Sequence, residues 1–139
     1  IVHIVDLFPT LAGLAGLETP TDRPIDGVEQ SDFLLGRSEK SNREGFAIFV
    51  GETLYGAKWR NWKVHLVWQE TKFGTRQPFS TVPKVVDLIT DPREERNVAQ
   101  PYNTWLQYPG MRLLTEFQQS MRKYPNVPLG APDSYRPSQ

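Results

Sequence analysis

Residues 85–99 read VVDLITDPREERNVA and place Asp87, Asp91, Glu94 and Glu95 within nine positions. Four carboxylates that close together suit a cation cage, an acid/base pair, or a set of caps on a turn. A calcium-type cage wants oxygens at close alternate spacings with a glycine in the turn. Here the spacing is irregular, and the residue shaping the backbone between Asp91 and Glu94 is Pro92. Asp91-Pro92 instead predicts a helix N-cap followed by the first helical position. Glu94 and Glu95 would then sit in the first turn, where the helix dipole favours acids, and Asn97 would close the turn. On this reading the run is a corner in the chain.

The remaining chemistry-bearing residues are few. The histidines are His3 and His65, and there is no cysteine, which excludes disulfides, thiolate metal sites and a cysteine nucleophile. No Ser/His/Asp set, phosphate loop, His-x-x-x-His pair or glycine-rich cradle occurs. His65 draws attention because it follows Lys63 by two on a strand-like stretch, so both point to one polar sheet face. His3 precedes the predicted helix cap at Asp6.

The stretch YGAKWRNWKVHLVW mixes bases with aromatics in the manner of a nucleic-acid platform. Its period of two argues against that use. Trp62, Val64, Leu66 and Trp68 fall on one face and Lys63, His65 and Val67 on the other, which segregates rings from cations. Lys+Arg and Asp+Glu balance at 16 each, giving no net field for nucleic acid or an anionic membrane surface. No apolar run approaches the ~20 residues of a spanning helix.

The elements that must position these residues follow from periodicity. Leu7, Leu11, Leu14 and Ala15 predict a short helix over about 7–15, with Asp6 as N-cap, Pro9 in the first turn and Gly16 as C′ residue. A Pro/Asp/Gly loop and a helical turn ending near Gly36 come next. The period then changes to two. GFAIFVG (45–51) is a strand, and the next two strands meet at a tight turn at Arg60-Asn61. The stretch QETKFGTRQPFST is read as a loop leading to a further strand, PKVVDLI. Pro109 suits the first position of a closing helix whose apolar stripe is Met111, Leu114, Phe117, Gln118 and Met121. The sum is α+β: a short helix and loop, a four-stranded antiparallel sheet, and a C-terminal helix on one sheet face. Twelve prolines, several after residue 124, predict an extended tail. The chain opens without Met in a helix approach, so a piece of a longer protein is expected.

Several stretches, in order, resemble the sulfatases of the alkaline-phosphatase-like superfamily. VDLFPTLAGLAGLETP is similar to their Asp-Leu-x-Pro-Thr-Leu helix, and PIDGVEQSDFLLG to the Asp-Gly segment that follows it. AKWRNWKVHL resembles their hairpin with an aromatic-Lys pair, here Trp62-Lys63. VVDLITDPREERNVA resembles their Asp-Pro-x-Glu-x-x-Asn-x-Ala signature, a structural turn in that family. The resemblance runs from Val5 to about Ala99 and into the terminal helix.

It implies the C-terminal region of a sulfuric ester hydrolase of the arylsulfatase kind. Residues 1–45 would be a helix and loop from the end of a catalytic domain, 46–124 a sheet-plus-helix subdomain, and 125–139 a Pro-rich tail. The family works through a formylglycine, made within Cys/Ser-x-Pro-x-Arg, and a divalent cation, usually calcium. Neither motif is in this chain, so no catalytic residue, metal ligand or cofactor is expected within it and the isolated piece is expected to be inactive. His65 and Lys63 are the residues the resemblance places on the substrate side, with Lys58 beside them on the cleft rim. The expected partners are the chain's own N-terminal catalytic domain and, in the parent, a sulfate ester. The resemblance implies a periplasmic, secreted or lysosomal setting. Two alternatives stay open: an interaction module that self-associates through its apolar first helix, or the tail of a phosphonate or phosphate-ester hydrolase of the same superfamily.

Overall fold

The computed structural model describes residues 1–132 apart from 23, 72, 80–81, 99–103, 126 and 129. Two units are distinguished within the chain, residues 45–122 on one hand and 1–44 with 123–139 on the other. No helix among the described residues is long and apolar enough to cross a membrane.

The first unit opens with a 3-10 turn, Ile4–Asp6, running into helix α1, Leu7–Leu14. Asp6 was expected to cap α1 forwards, and it does not. His3 is the N-cap of the 3-10 turn, and the Asp6 carboxylate reaches back to accept from the His3 amide at 2.8 Å. The same carboxylate accepts from the Val28 amide at 2.8 Å and from Nε and Nη2 of Arg43. A buried carboxylate demands this many donors, because an unpaired charge away from water is far costlier than an unfilled cap. Thr10 completes the seam: its hydroxyl donates to the Asp6 carbonyl and accepts from the Gln30 amide.

The end of α1 follows the expectation. Gly16 has φ +71°, its amide donates to Gly13 O, and the Leu17 amide donates to Ala12 O, the paired bonds of a Schellman stop. What α1 buries is unexpected: Pro9 and Thr10 are inside, whereas Leu7, Phe8, Leu11 and Leu14 are exposed. A single-turn helix α2, Ser31–Leu34, precedes the second unit.

The second unit is a four-stranded antiparallel sheet in the order β1-β2-β3-β6, with a separate β4-β5 pair. Its strands are β1 Gly45–Val50, β2 Thr53–Trp59, β3 Trp62–His65, β4 Val67–Trp68, β5 Gln77–Pro78 and β6 Lys84–Asp87. The Arg60-Asn61 turn forms as expected, with Arg60 at φ +50° and its guanidinium 4.7 Å from the centre of the Trp59 ring. β5 lies inside the stretch expected to be a loop, and β4 is the end of the expected second hairpin strand, split from β3 and paired with β5.

Cross-strand register decides the faces. Ala57 pairs with Val64 and Val64 with Val85, so these three share one face. Against it packs α3, Gln107–Lys123, entered through a 3-10 turn Thr104–Leu106. The helix starts two residues before the expected Pro109, which remains in the first turn where no intrahelical donor is lost. Its buried stripe is Gly110 and Leu114, continuing Leu106, with Leu113 and Phe117 beside it; Met111 and Gln118 are exposed. Phe49 of β1 meets Phe117 with ring centres 5.6 Å apart.

Gly110 sets how closely helix and sheet approach. A Cβ there would lie 2.6 Å from Cγ2 and 3.2 Å from Cβ of Val64, a fully buried β-branched side chain. Gly110→Ala is therefore expected to destabilise the chain by about 1–2 kcal/mol despite the better helix propensity of Ala. Urea unfolding followed by tryptophan fluorescence checks this, and an unchanged or raised midpoint would contradict the close approach.

Candidate functional site

The second face of the sheet carries Lys63 and His65 on β3, paired across with Val86 and Lys84 on β6. Sequence alternation put both Lys63 and His65 here. It did not foresee what lies over them. Residues 91–98 form no helix; they are a turn and an extended segment laid against β6. The Asp91 carboxylate accepts from the Arg96 amide at 2.7 Å, and the Glu94 amide donates to Asp91 O, so Asp91 closes a turn instead of capping a helix. Arg96 and its neighbours hold that carboxylate below its ordinary pKa. Asn97 hooks the edge strand: its Oδ1 accepts from the Val85 amide, and the Val98 amide donates to Val85 O. The segment expected to start a helix thus ends in pairing of Asn97 and Val98 with the edge of β6, which satisfies donors that a short helix would leave free.

This path brings Glu94 onto the polar face. Lys63 Nζ donates to its Oε1 at 2.7 Å and Oε2 at 2.9 Å, and His65 Nε2 lies 2.7 Å from Oε2. The His65 contact is short but off the ring's N–H direction, so no well-aligned hydrogen bond forms there. Lys84 Nζ donates to the backbone O of Glu94 at 2.5 Å and stands 3.5 Å from the centre of the Trp68 ring. Glu94 itself has φ +61°, the left-handed region that non-glycine residues rarely occupy.

Trp68 departs from the expected alternation. Pairing on β3 ends at His65, and the Leu66 amide donates to Tyr55 O while Leu66 O accepts from the Phe79 amide. This bend turns Trp68 to the His65 side, edge-on to that ring with centres 5.3 Å apart. Rings and cations therefore share this surface, contrary to the segregation read from a continuous strand. Lys58, expected on the cleft rim, donates from its ammonium to the Arg60 carbonyl at the hairpin turn.

Lys63, His65, Trp68 and Glu94 line a cleft of about 390 Å³, whose other walls include Tyr55 and Arg93. Burial, followed by the Lys63 charge, pushes the His65 pKa below its ordinary value, and the Glu94 carboxylate only partly offsets this. The balance favours the neutral ring. Burial pushes Glu94 the other way, but its bond to the Lys63 ammonium prevails and keeps it below the usual carboxylate value. The cleft thus holds a neutral imidazole and a carboxylate between two ammonium groups. These residues do not fit a calcium ion: the carboxylate already serves two neighbours, and no three of the described His, Asp or Glu converge as ligands. Sequence reasoning placed His65 and Lys63 correctly on one face but missed Glu94 and Lys84. The signal available was the proximity of β3 and the acidic run through β6.

No family model matches the chain. Among curated proteins it is 33% identical over 111 residues to the steryl-sulfatase of Rattus norvegicus, covering 65% of this chain and 19% of that protein. It is 30% identical over 118 residues to the steryl-sulfatase of Homo sapiens, covering 70% of this chain and 20% of that one. The chain thus spans about a fifth of the length of these relatives. Among solved structures it superposes on the PsFucS1 sulfatase of Pseudoalteromonas sp. with a TM-score of 0.77 and 25% identity, over 88% of this chain and 26% of that one.

Proposed function

From its place in the sulfatase family, we propose that this chain is the C-terminal part of a sulfuric ester hydrolase, where it completes and covers the catalytic domain and hydrolyses nothing alone. The observation that carries this reading is the match itself: about 30% identity maintained over 118 residues, confined to a fifth of the relative's length. The formylglycine and the calcium would both be supplied by the rest of the polypeptide, since the donors of the cleft do not suit the metal. The substrate would be a sulfate ester, with Lys63 and His65 on the side that meets it.

The outward apolar face of α1 favours the same reading. Ile4 is 72% exposed, Phe8 55% and Leu11 61%, and they lie on successive turns of one short element. A patch of that kind is a surface awaiting a partner, and the catalytic domain of a sulfatase would be that partner. The same face supports a second reading, a module that pairs with its own copy. Sedimentation of the isolated chain across a concentration series separates the two: a defined dimer favours self-association, and a monomer that binds the upstream domain favours completion.

The test of the first reading is the sequence upstream of Ile1. Cys or Ser in Cys/Ser-x-Pro-x-Arg is expected there. A Thr or unmodified Ser nucleophile would move the parent to phosphate or phosphonate esters, and no catalytic domain would end the enzyme reading. In the full-length enzyme, His65→Gln is expected to lower kcat/KM about 10–100-fold, the worth of one hydrogen bond to a charged substrate group. Its melting temperature should move little. Equal losses of activity and stability would assign His65 to the fold instead of the substrate.

A further inference from the structure

We propose that Glu94 is the positioning residue of this cleft: one carboxylate holds the His65 ring and the Lys63 ammonium in a fixed relation and places the histidine proton on Nε2. The geometry rests on four contacts of a single residue. Its two carboxylate oxygens take Lys63 Nζ at 2.7 and 2.9 Å, Oε2 lies 2.7 Å from His65 Nε2, and its backbone O takes Lys84 Nζ at 2.5 Å. Side chain and carbonyl reach the sheet together, with Glu94 at φ +61°. Such a backbone conformation costs energy in a residue with a Cβ and persists where surrounding contacts over-determine it. Here they do: the Glu94 amide is fixed to Asp91 O, and the Asp91 carboxylate to the Arg96 amide.

The tautomer follows from electrostatics. A carboxylate oxygen 2.7 Å from Nε2 attracts an N–H and repels a lone pair even where the two are not aligned, so Nε2 carries the hydrogen and Nδ1 is left as an acceptor. The groups facing the ring are Glu94 from the 91–98 segment, Lys63 from its own strand, Lys84 from β6 and the Trp68 edge from β4. Glu94 is the sole anion in that set, so its removal leaves His65 facing two cations. The neutral ring and the ammonium are then presented to a ligand as one preset pair. That last consequence rests on the substrate-side reading above; the tautomer and titration do not.

The test is nitrogen-15 NMR of the imidazoles in the 139-residue chain, with His3→Gln identifying the His65 signals. Wild type is expected to show His65 neutral at pH 7 with the proton on Nε2. Glu94→Gln should lower the His65 pKa further, by about one unit, and Lys63→Gln should raise it by a similar amount because Glu94 is then opposed by Lys84 alone. If Glu94→Gln does not fold, Lys63→Gln carries the test with its opposite sign. A proton on Nδ1 in wild type, or a His65 titration unmoved by Lys63→Gln, would overturn the proposal. Either result would leave the sulfatase reading intact, just as a failed upstream search would leave this one intact.

Discussion

Asp6→Asn is expected to lower stability by about 3–5 kcal/mol, the usual cost of removing one member of a buried ion pair. The Asp6 side chain is 1% exposed and Arg43 9%, so the variant would take the counter-charge from a guanidinium that has little access to water. It would also weaken the acceptor shared by the His3 and Val28 amides. The tryptophans lie at 59, 62, 68 and 105, within the other unit. Hydrogen exchange at Val28 and Gln30 is therefore the proper readout, and both amides should lose most of their protection. Retained protection would show that Arg43 finds another partner.

The same carboxylate predicts an acid transition. Burial alone would raise its pKa, but the Arg43 bond and the two amides outweigh it and bring it down to about 2 from 3.8. A folded value below the unfolded one means stability that is fully present above pH 3.8 and is lost as pH falls towards 2. The loss amounts to about 2 kcal/mol. In Asp6→Asn that part of the pH dependence should vanish. A variant that still loses the same stability between those pH values would assign the transition to other groups.

Leu114→Ala should be the second large effect, about 3 kcal/mol from lost burial plus the cavity left behind. Leu114 is 2% exposed and lies in the helix that covers the Ala57, Val64 and Val85 face. Met111→Ala, one turn earlier and 37% exposed, should cost under about 1 kcal/mol. Helical spacing alone ranks the two positions together. Urea unfolding followed by tryptophan fluorescence compares them directly, and equal losses would mean that the helix packs one residue out of phase with the structure described above.

Much of this architecture was legible in the chain because it depends on local rules. The period-two runs at 45–51 and 53–65, the Arg60-Asn61 turn and the Gly16 helix stop each follow from a few neighbouring residues. So does the placement of Lys63 and His65 together, since alternate residues of a strand share a face whatever it meets. The four ordered motifs carried the sulfatase resemblance for the same reason.

Tertiary structure decided where distant residues compete for one partner. Asp6 had a local role available as a forward cap, yet Arg43, 37 positions away, and the Val28 amide claimed its carboxylate. Asp91 and Glu94 had a local role at a helix start, yet the open edge of β6 drew the segment into extended pairing and swung Glu94 over Lys63 and His65. Trp68 left the face its spacing implied because the strand bends at Leu66. Alternation and helical spacing state which residues move together; they do not state which face is buried. For α1 that choice put Thr10 inside and Leu11 outside, because the Thr10 hydroxyl joins the Asp6 carbonyl to the buried Gln30 amide.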